Sequence, residues 1–278
     1  MSQVNTRPPD WPLDAEADSD RPLLVRRRGE AAWLLLNRPD RRNALDPALT
    51  DALAAEVAAA AADDTVRVLV IGGVGEGFCS GADLGYLHAC ARTGRDPLDF
   101  LTRVSDTFTA VAGSGKPVLA AVHGHVVAGG LELALACDVV VAREGTLIGD
   151  GHLRHGLLPA AGSSLRLPRR IGEPLARWLL LTGELVPAER LAPSGLVHAV
   201  LPEEGFVTGA DALARRLAAA YGPVQRRMKD LLDGGAPRRN DEEALAAEME
   251  AFAVHWAGAD MTAALRRFAR HDREAGTS

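Results

Sequence analysis

The sequence predicts an α/β fold in which buried, mainly parallel strands alternate with helices. Three observations lead there. Residues 66–71 (VRVLVI), 117–122 (PVLAAV) and 139–142 (VVVA) are short apolar runs, the pattern of strands buried on both faces. Alanine- and leucine-rich stretches of helical period lie between them. The composition, 47% apolar but only 4% aromatic, suits amphipathic helices packed on a sheet. Repeated strand–helix–strand units imply parallel strands with helical crossovers. At 278 residues the chain can bury one large core, or one core plus a small lid.

Residues 23–36 read as two short strands around a turn near Gly29 and Glu30. Asn37-Arg-Pro-Asp40 ends the second, because proline has no ladder donor. Asp46 is a suitable N-cap, and Pro47 a first-turn proline, for a helix reaching about Ala62. After the strand at 66–71, residues 72–81 form a glycine-rich loop. Helices follow within 83–91 and over 97–112. The strand at 117–122 leads into glycines and a helical apolar pattern over 124–137, then into the strand at 139–142. After about residue 165 the pattern turns helical. Residues 174–182 and 187–194 are helix candidates, and 197–201 a short strand. Residues 206–220, 241–256 and 261–274 read as helices. The chain thus divides into a flexible arm (1–20), an α/β core (21–204) and a helical C-terminal region (205–278).

A net charge of −6 argues against a general nucleic-acid binder. No apolar run reaches the roughly 18 residues of a bilayer span, so no membrane partner is expected. The first 20 residues carry Arg7, Asp10, Asp14, Glu16, Asp18 and Asp20 but no apolar signal core, and they read as a mobile arm. Cys79, Cys90 and Cys137 are odd in number and irregularly spaced. They read as buried free thiols of a reducing cytoplasm. Four histidines lie within residues 123–155, yet none of the spacings resembles HExxH, and no metal is expected.

Two segments carry the chemistry: Gly77-Phe-Cys-Ser-Gly-Ala-Asp-Leu84, and Ala121-Val-His-Gly-His-Val-Val-Ala-Gly-Gly-Leu-Glu-Leu133 with Ala134-Leu-Ala-Cys-Asp138 after it. Each glycine turn follows a buried strand and precedes a helix. Glycine admits close backbone approach. The first amides of a helix are unpaired and sit at the positive end of its dipole. Two such amides from two loops could converge on one oxygen as an oxyanion hole; the plainer alternative is a pair of ordinary strand–helix turns. A dinucleotide fingerprint does not compete, since Gly73-Val-Gly75-Glu-Gly77 has the wrong spacing.

The pieces resemble the crotonase superfamily, the enoyl-CoA hydratase/isomerase family, in order and at similar separations. They are Arg42-Asn-Ala-Leu45, Phe78-Cys-Ser-Gly-Ala-Asp-Leu84, Lys116-Pro-Val-Leu-Ala-Ala-Val-His-Gly124, Gly129-Gly-Leu-Glu-Leu-Ala-Leu-Ala-Cys-Asp138, Leu181-Thr-Gly183 and Ala192-Pro-Ser-Gly-Leu-Val197. The resemblance implies a crotonase-like ββα spiral core. It implies an acyl-CoA substrate, with coenzyme A as part of the substrate and no separate cofactor. It also implies a homotrimer or dimer of trimers, the C-terminal helices closing the acyl pocket and meeting neighbouring subunits.

Residue by residue, the resemblance puts the oxyanion hole at the amides of Ala82 and Gly129. Arg42, Ala44, Ser80, Asp83 and Leu84 match segments that hold the nucleotide and pantetheine of coenzyme A. For Arg42 the alternative is a solvated arginine, and for Asp83 a helix cap. Glu132 matches one of the two catalytic glutamates of family hydratases; alone it would read as a dipole-stabilising first-turn glutamate. Where the second glutamate is expected, this chain has His152, within Ile148-Gly-Asp-Gly-His-Leu-Arg-His-Gly-Leu-Leu-Pro159. His152 is either an acid/base group, with an ordinary pKa near 6.5, or a neutral hydrogen-bond partner. Asp150 is the nearby alternative acid and otherwise a turn or cap residue. His88 is assigned to the acyl end and His125 to the substrate side, against a solvated helix face and a loop-packing role.

The leading expectation is an enoyl-CoA hydratase or dehydratase, a carbon–oxygen lyase, with Glu132 handling the water. An isomerase would need only one base to move a proton from Cα to Cγ. Family members also include decarboxylases and thioester hydrolases, so the fold alone does not choose. A non-catalytic acyl-CoA-binding protein is the reading from another class.

Overall fold

The computed structural model describes residues 21–220, together with residues 225, 226, 228, 229, 246, 249, 253, 256 and 257. The arm at 1–20 and the helix expected at 261–274 lie outside these residues. So does most of the helix expected at 241–256, of which residues 246, 249, 253 and 256 are described, all helical.

Strands β1 (Leu23–Arg28) and β2 (Ala31–Leu36) form an antiparallel hairpin through the Gly29–Glu30 turn. Next come α1 (Pro47–Ala62), β3 (Val68–Gly73), α2 (Leu84–Thr93), α3 (Leu98–Ala112) and β4 (Val118–Val122). They are followed by β5 (His125–Val127), α4 (Gly129–Ala136), β6 (Val139–Arg143) and β7 (Leu147–Gly149). The chain continues through α5 (Ser163–Ile171), α6 (Glu173–Thr182), β8 (Val186–Pro187), α7 (Ala188–Leu191), β9 (Ala199–Leu201) and α8 (Phe206–Ala218). The main sheet has the order β1-β2-β3-β4-β6-β9 and is parallel beyond the hairpin.

Alternation along the strands builds two cores. Leu34, Leu36, Leu69, Ile71, Val118 and Ala120 face α1 and α3, meeting Leu49, Leu53, Val57 and Phe108. Trp33, Leu35, Val68, Val70, Leu119 and Ala121 face the other way. There α8 covers them with Phe206, Val207, Ala210 and Ala214. Asp46 caps α1 as the sequence suggests, its Oδ1 accepting from the Leu49 amide at 2.8 Å.

Three differences from the sequence reading matter for the site. Strand β3 starts and ends two residues later than the apolar run, because Gly72 and Gly73 pair with Leu35 and Leu36. A side chain at Gly73 is excluded: its β-carbon would lie 2.5 Å from the Phe78 carbonyl oxygen, so the glycine loop folds straight back over the strand end. Second, a small sheet of order β5-β7-β8 was not foreseen, since strands of two or three residues are too short to show a period. Third, α5 lies where no helix was assigned, its polar sequence and internal Pro168 hiding it, while the helix expected at 187–194 shrinks to the single turn α7.

Asn43 holds the loop above β3. It is fully buried, with φ 54°, a left-handed conformation that asparagine tolerates better than most residues. Its Nδ2 donates to the carbonyls of Val74 (2.9 Å) and Gly77 (2.8 Å), and its Oδ1 accepts from the Arg38 amide (2.8 Å). Asn43→Ala strands three backbone groups, one buried and two half-buried, and the unfolding free energy should fall by about 1–3 kcal/mol. Urea unfolding checks this; an unchanged midpoint would show that the side chain does not hold the loop.

Candidate active site

The first glycine turn is fixed on both flanks. On one side the Leu45 amide donates to Gly81 (2.8 Å) and the Asp83 amide to Leu45 (2.8 Å), with Ser80 donating to Arg42 (3.1 Å). On the other, Cys79 donates to His125 (3.2 Å) and Val127 to Cys79 (3.1 Å). Because the groups flanking Ala82 pair with Leu45, the Ala82 N–H points the opposite way, towards Gly129. A β-carbon built on Gly129 would stand only 3.5 Å from that nitrogen. Gly129 opens α4, so its amide is among those a helix leaves unpaired. The preceding Ala128 adopts φ 51° and ψ −119°, a strained turn conformation for alanine, and is tied down by the hydrogen bond its amide donates to the Gly149 carbonyl (3.2 Å). Two amides from different turns therefore face one small space, an arrangement able to bind a carbonyl oxygen and favour negative charge on it.

Glu132 follows in the first turn of α4 and is 2% exposed. Its Oε1 accepts from the amides of Ala161 (2.9 Å) and Ser163 (3.1 Å). Burial pushes the carboxyl above its ordinary range and the Asp150 carboxylate adds to that; His152 and the two amides oppose it.

The third element enters through the small sheet. Strands β5 and β7 run parallel, pairing Val126 with Ile148 and Val127 with Gly149. The residues leaving β5 towards α4 and those leaving β7 therefore emerge at the same end. Gly151, at φ 67°, turns the chain into a 3₁₀ turn (His152–His155). Any side chain there would press within 2.6 Å of Val127. The turn brings His152 Nδ1 to 3.0 Å from both oxygens of Asp150, which is 1% exposed. Burial alone would raise Asp150, but the charge and hydrogen bonds of His152, with a contribution from the Ser163 side chain, outweigh it and hold the carboxyl below its usual value.

A mainly apolar pocket joins these parts. Ala82, Gly129, Glu132 and His152 line it with Leu45, Leu87, Leu101, Val104 and Leu157. Other candidates lie elsewhere. Leu87 lines the pocket where His88 was assigned, and His125 is an exposed strand residue. Asp83 caps α2, accepting from Gly85 (2.9 Å) and Tyr86 (3.2 Å), and pairs with Arg38 at 3.0 Å. Arg42 is exposed, Ala44 buried, and Ser80 and Leu84 half-buried along the same edge. His123 is buried, its Nε2 donating to the Gly75 carbonyl (2.8 Å), and burial lowers its pKa to about 4. The cysteines are buried, and burial pushes Cys79 and Cys137 up to about 12, which leaves them as packing groups. Among the described residues, no group of three or more His, Cys, Asp or Glu could hold a metal ion. Sequence reasoning missed Asn43 and Gly151; the asparagine between Arg42 and Ala44 and the glycine between Asp150 and His152 were the available signals.

The sequence pattern of the enoyl-CoA hydratase/isomerase family matches residues 27–274. The chain is 37% identical over 200 residues to 2,3-dehydroadipyl-CoA hydratase of Escherichia coli, covering 70% of this chain and 75% of that protein. It is 37% identical over 210 residues to a putative enoyl-CoA hydratase of Thermus thermophilus, covering 74% and 81%. The crystal structure of an enoyl-CoA hydratase/isomerase from Xanthobacter autotrophicus superposes with a TM-score of 0.81 at 31% identity, covering 90% of this chain and 93% of that one.

Glu132 also leaves a mark on stability. With its carboxyl raised by burial, the native state keeps a proton at pH values where the unfolded chain has released it. Stability attributable to this group therefore falls as pH climbs above the ordinary glutamate value of 4.5. Glu132→Gln should melt higher than wild type near about pH 8, by about 2–4 °C for each kcal/mol relieved, the gap closing near about pH 4. Calorimetry at both pH values checks this; a variant that melts lower at the higher pH contradicts it.

Proposed function

The chain belongs to the enoyl-CoA hydratase/isomerase family, and we propose that it adds water across the 2,3 double bond of a 2-enoyl-CoA, with Glu132 and His152 handling the protons. The observation that carries this reading is the shared pocket wall. A buried glutamate, a histidine held by a carboxylate and two turn amides meet on one apolar cavity.

In this reading the thioester oxygen accepts hydrogen bonds from the Ala82 and Gly129 amides. Water oxygen bonds to C3, the double-bond electrons pass to C2 and the thioester oxygen, and an enolate develops. The amides bind that charge more strongly than the neutral carbonyl, which is what lowers the barrier. Each such donor is worth about 10²–10³ in rate. One of the Glu132–His152 pair takes the water proton and the other supplies the proton to C2. Burial moves Glu132 upward from its ordinary value, so it holds a proton more firmly than a solvated carboxyl does.

Leu87, Leu101, Val104 and Leu157 support an acyl group that is apolar beyond the reacting carbons. Arg42, Ala44, Ser80 and Leu84 form the edge along which coenzyme A would lie, and Asp83 would serve it by capping α2. We assign no cofactor beyond the coenzyme A of the substrate. A trimer or dimer of trimers fits the exposed Trp178 and Leu181 on α6, at 56% and 71% exposure, beside Leu153. The buried free thiols support action in the reducing cytoplasm, and among the described residues no helix is long and apolar enough to cross a membrane.

Loss of the conjugated thioester absorbance measures the reaction. Glu132→Gln should lower kcat by about 10²–10⁴-fold, and undiminished activity would sink the mechanism. In heavy-oxygen water the product should carry label; an unlabelled product with a moved double bond would make the chain an isomerase. Acyl-CoA binding without turnover would make it a binding protein.

A further inference from the structure

Asp150 has a role that the Glu132–His152 reading does not by itself require. A residue that merely capped the turn after β7 would accept from backbone amides. Asp150 does accept from the His152 amide, weakly, at 3.3 Å. Its closer partner is the ring: Nδ1 stands 3.0 Å from both carboxylate oxygens. One buried carboxylate thus holds the main chain and the side chain of the same histidine, across a glycine whose positive φ makes that approach geometrically open.

We propose that Asp150 is a positioning residue: it fixes the tautomer and orientation of His152, so that Nδ1 carries a hydrogen and Nε2 is the atom that exchanges protons with the pocket. This rests on the acid/base reading of His152. The held-down carboxyl is consistent with it, because an ionised carboxylate only accepts hydrogen bonds, so the nitrogen facing it must be the donor. With Nδ1 facing Asp150, acid/base work falls to Nε2.

The charges around His152 set the direction of its response. Asp150 acts from the end of β7 and Glu132 from α4, and both are negative when ionised. On the histidine's own turn, Arg154 directs Nε to the Gly183 carbonyl at 2.7 Å, and His155 follows it. On α6, which packs against the turn, Glu173 and Arg177 pair with each other at the surface, 3.7 Å apart. On α5, Arg166 donates to the Ala161 carbonyl at 2.6 Å. A carboxylate at Nδ1 stabilises the imidazolium, so removing its charge moves the histidine's titration to lower pH.

The experiment uses the full chain and the four-carbon 2-enoyl-CoA as probe, with kcat and KM followed from about pH 5 to about pH 10. Asp150→Asn should lower kcat by about 10²-fold or more, the order expected when a ring loses its tautomer-fixing carboxylate. KM should change little, and the kcat limb belonging to His152 should move about one unit to lower pH. In a His152→Gln background the same change should lower kcat no further. An unmoved limb, or an equal loss in that background, would leave Asp150 as a structural cap and overturn the proposal. Long-range proton–nitrogen NMR of the unmodified protein tests it without any variant. The Nδ1–H tautomer is expected in neutral His152, and the Nε2–H tautomer would overturn it. Full activity of His152→Gln refutes the acid/base reading beneath it. An inactive His152→Gln with an unshifted Asp150→Asn profile refutes only the positioning role.

Discussion

Backbone meets backbone where the two glycine turns cross, and the rest of the site is arranged around that contact. A β-carbon at Gly130 would stand 2.2 Å from the Cys79 carbonyl oxygen, and one at Gly81 would stand 2.9 Å from the Gly129 nitrogen. No side chain survives at such distances, and small shifts do not relieve a clash with backbone on both sides. The contact brings the Ala82 and Gly129 amides together, and it needs every hydrogen bond that flanks it. Leu45 pairs with the first turn on one edge and β5 on the other. Asn43 anchors the chain beneath from a left-handed conformation, and Ala128 accepts strain at the start of α4. Strain of this kind persists only where neighbouring bonds over-determine the conformation, and here they do.

The small sheet extends the constraint to a third segment. Since β5 and β7 are parallel and in register, whatever leaves β7 arrives beside the start of α4. Glu132 and His152 thus line one pocket although 19 residues lie between them; the pairing of Val127 with Gly149 fixes their proximity. Glu132 then sits where water is scarce, with one oxygen held by amides from the segment that opens α5.

The sequence revealed long elements and glycine turns more readily than it revealed these short connections. Strands β2, β3 and β4 are buried on both faces, so their apolar runs are continuous and legible. Asp46 and Pro47 mark the start of α1 because capping chemistry is local. Strands β5, β7 and β8 are held by neighbours distant in sequence and carry too few residues for a pattern. The same limit applies within the site. Glu132 was legible because its spacing from Gly129 is helical. The partner of His152 was harder to weigh: Asp150 and His152 two residues apart look like a turn until the left-handed Gly151 folds one side chain onto the other. His125 is close to the second glycine turn in sequence yet exposed, because alternation along β5 turns Val126 inward instead.

Replacing a second glutamate by a carboxylate-held histidine changes the electrostatics of the proposed chemistry. Two glutamates in one buried site repel when both are ionised, and a proton passing between them leaves a single negative charge on one or the other. With Glu132, His152 and Asp150, a proton can sit on the glutamate or on the imidazole while the total stays the same. The state with ionised Glu132 and charged His152 places opposite charges side by side, and the state with both neutral places none. In a low-dielectric pocket the difference between those states is set by local geometry more than by desolvation of a new net charge. Asp150 biases that balance towards imidazolium, and burial of Glu132 biases it towards the neutral pair. The two biases are opposed, so where the proton rests depends on how closely Asp150 is held to the ring and how completely Glu132 is buried.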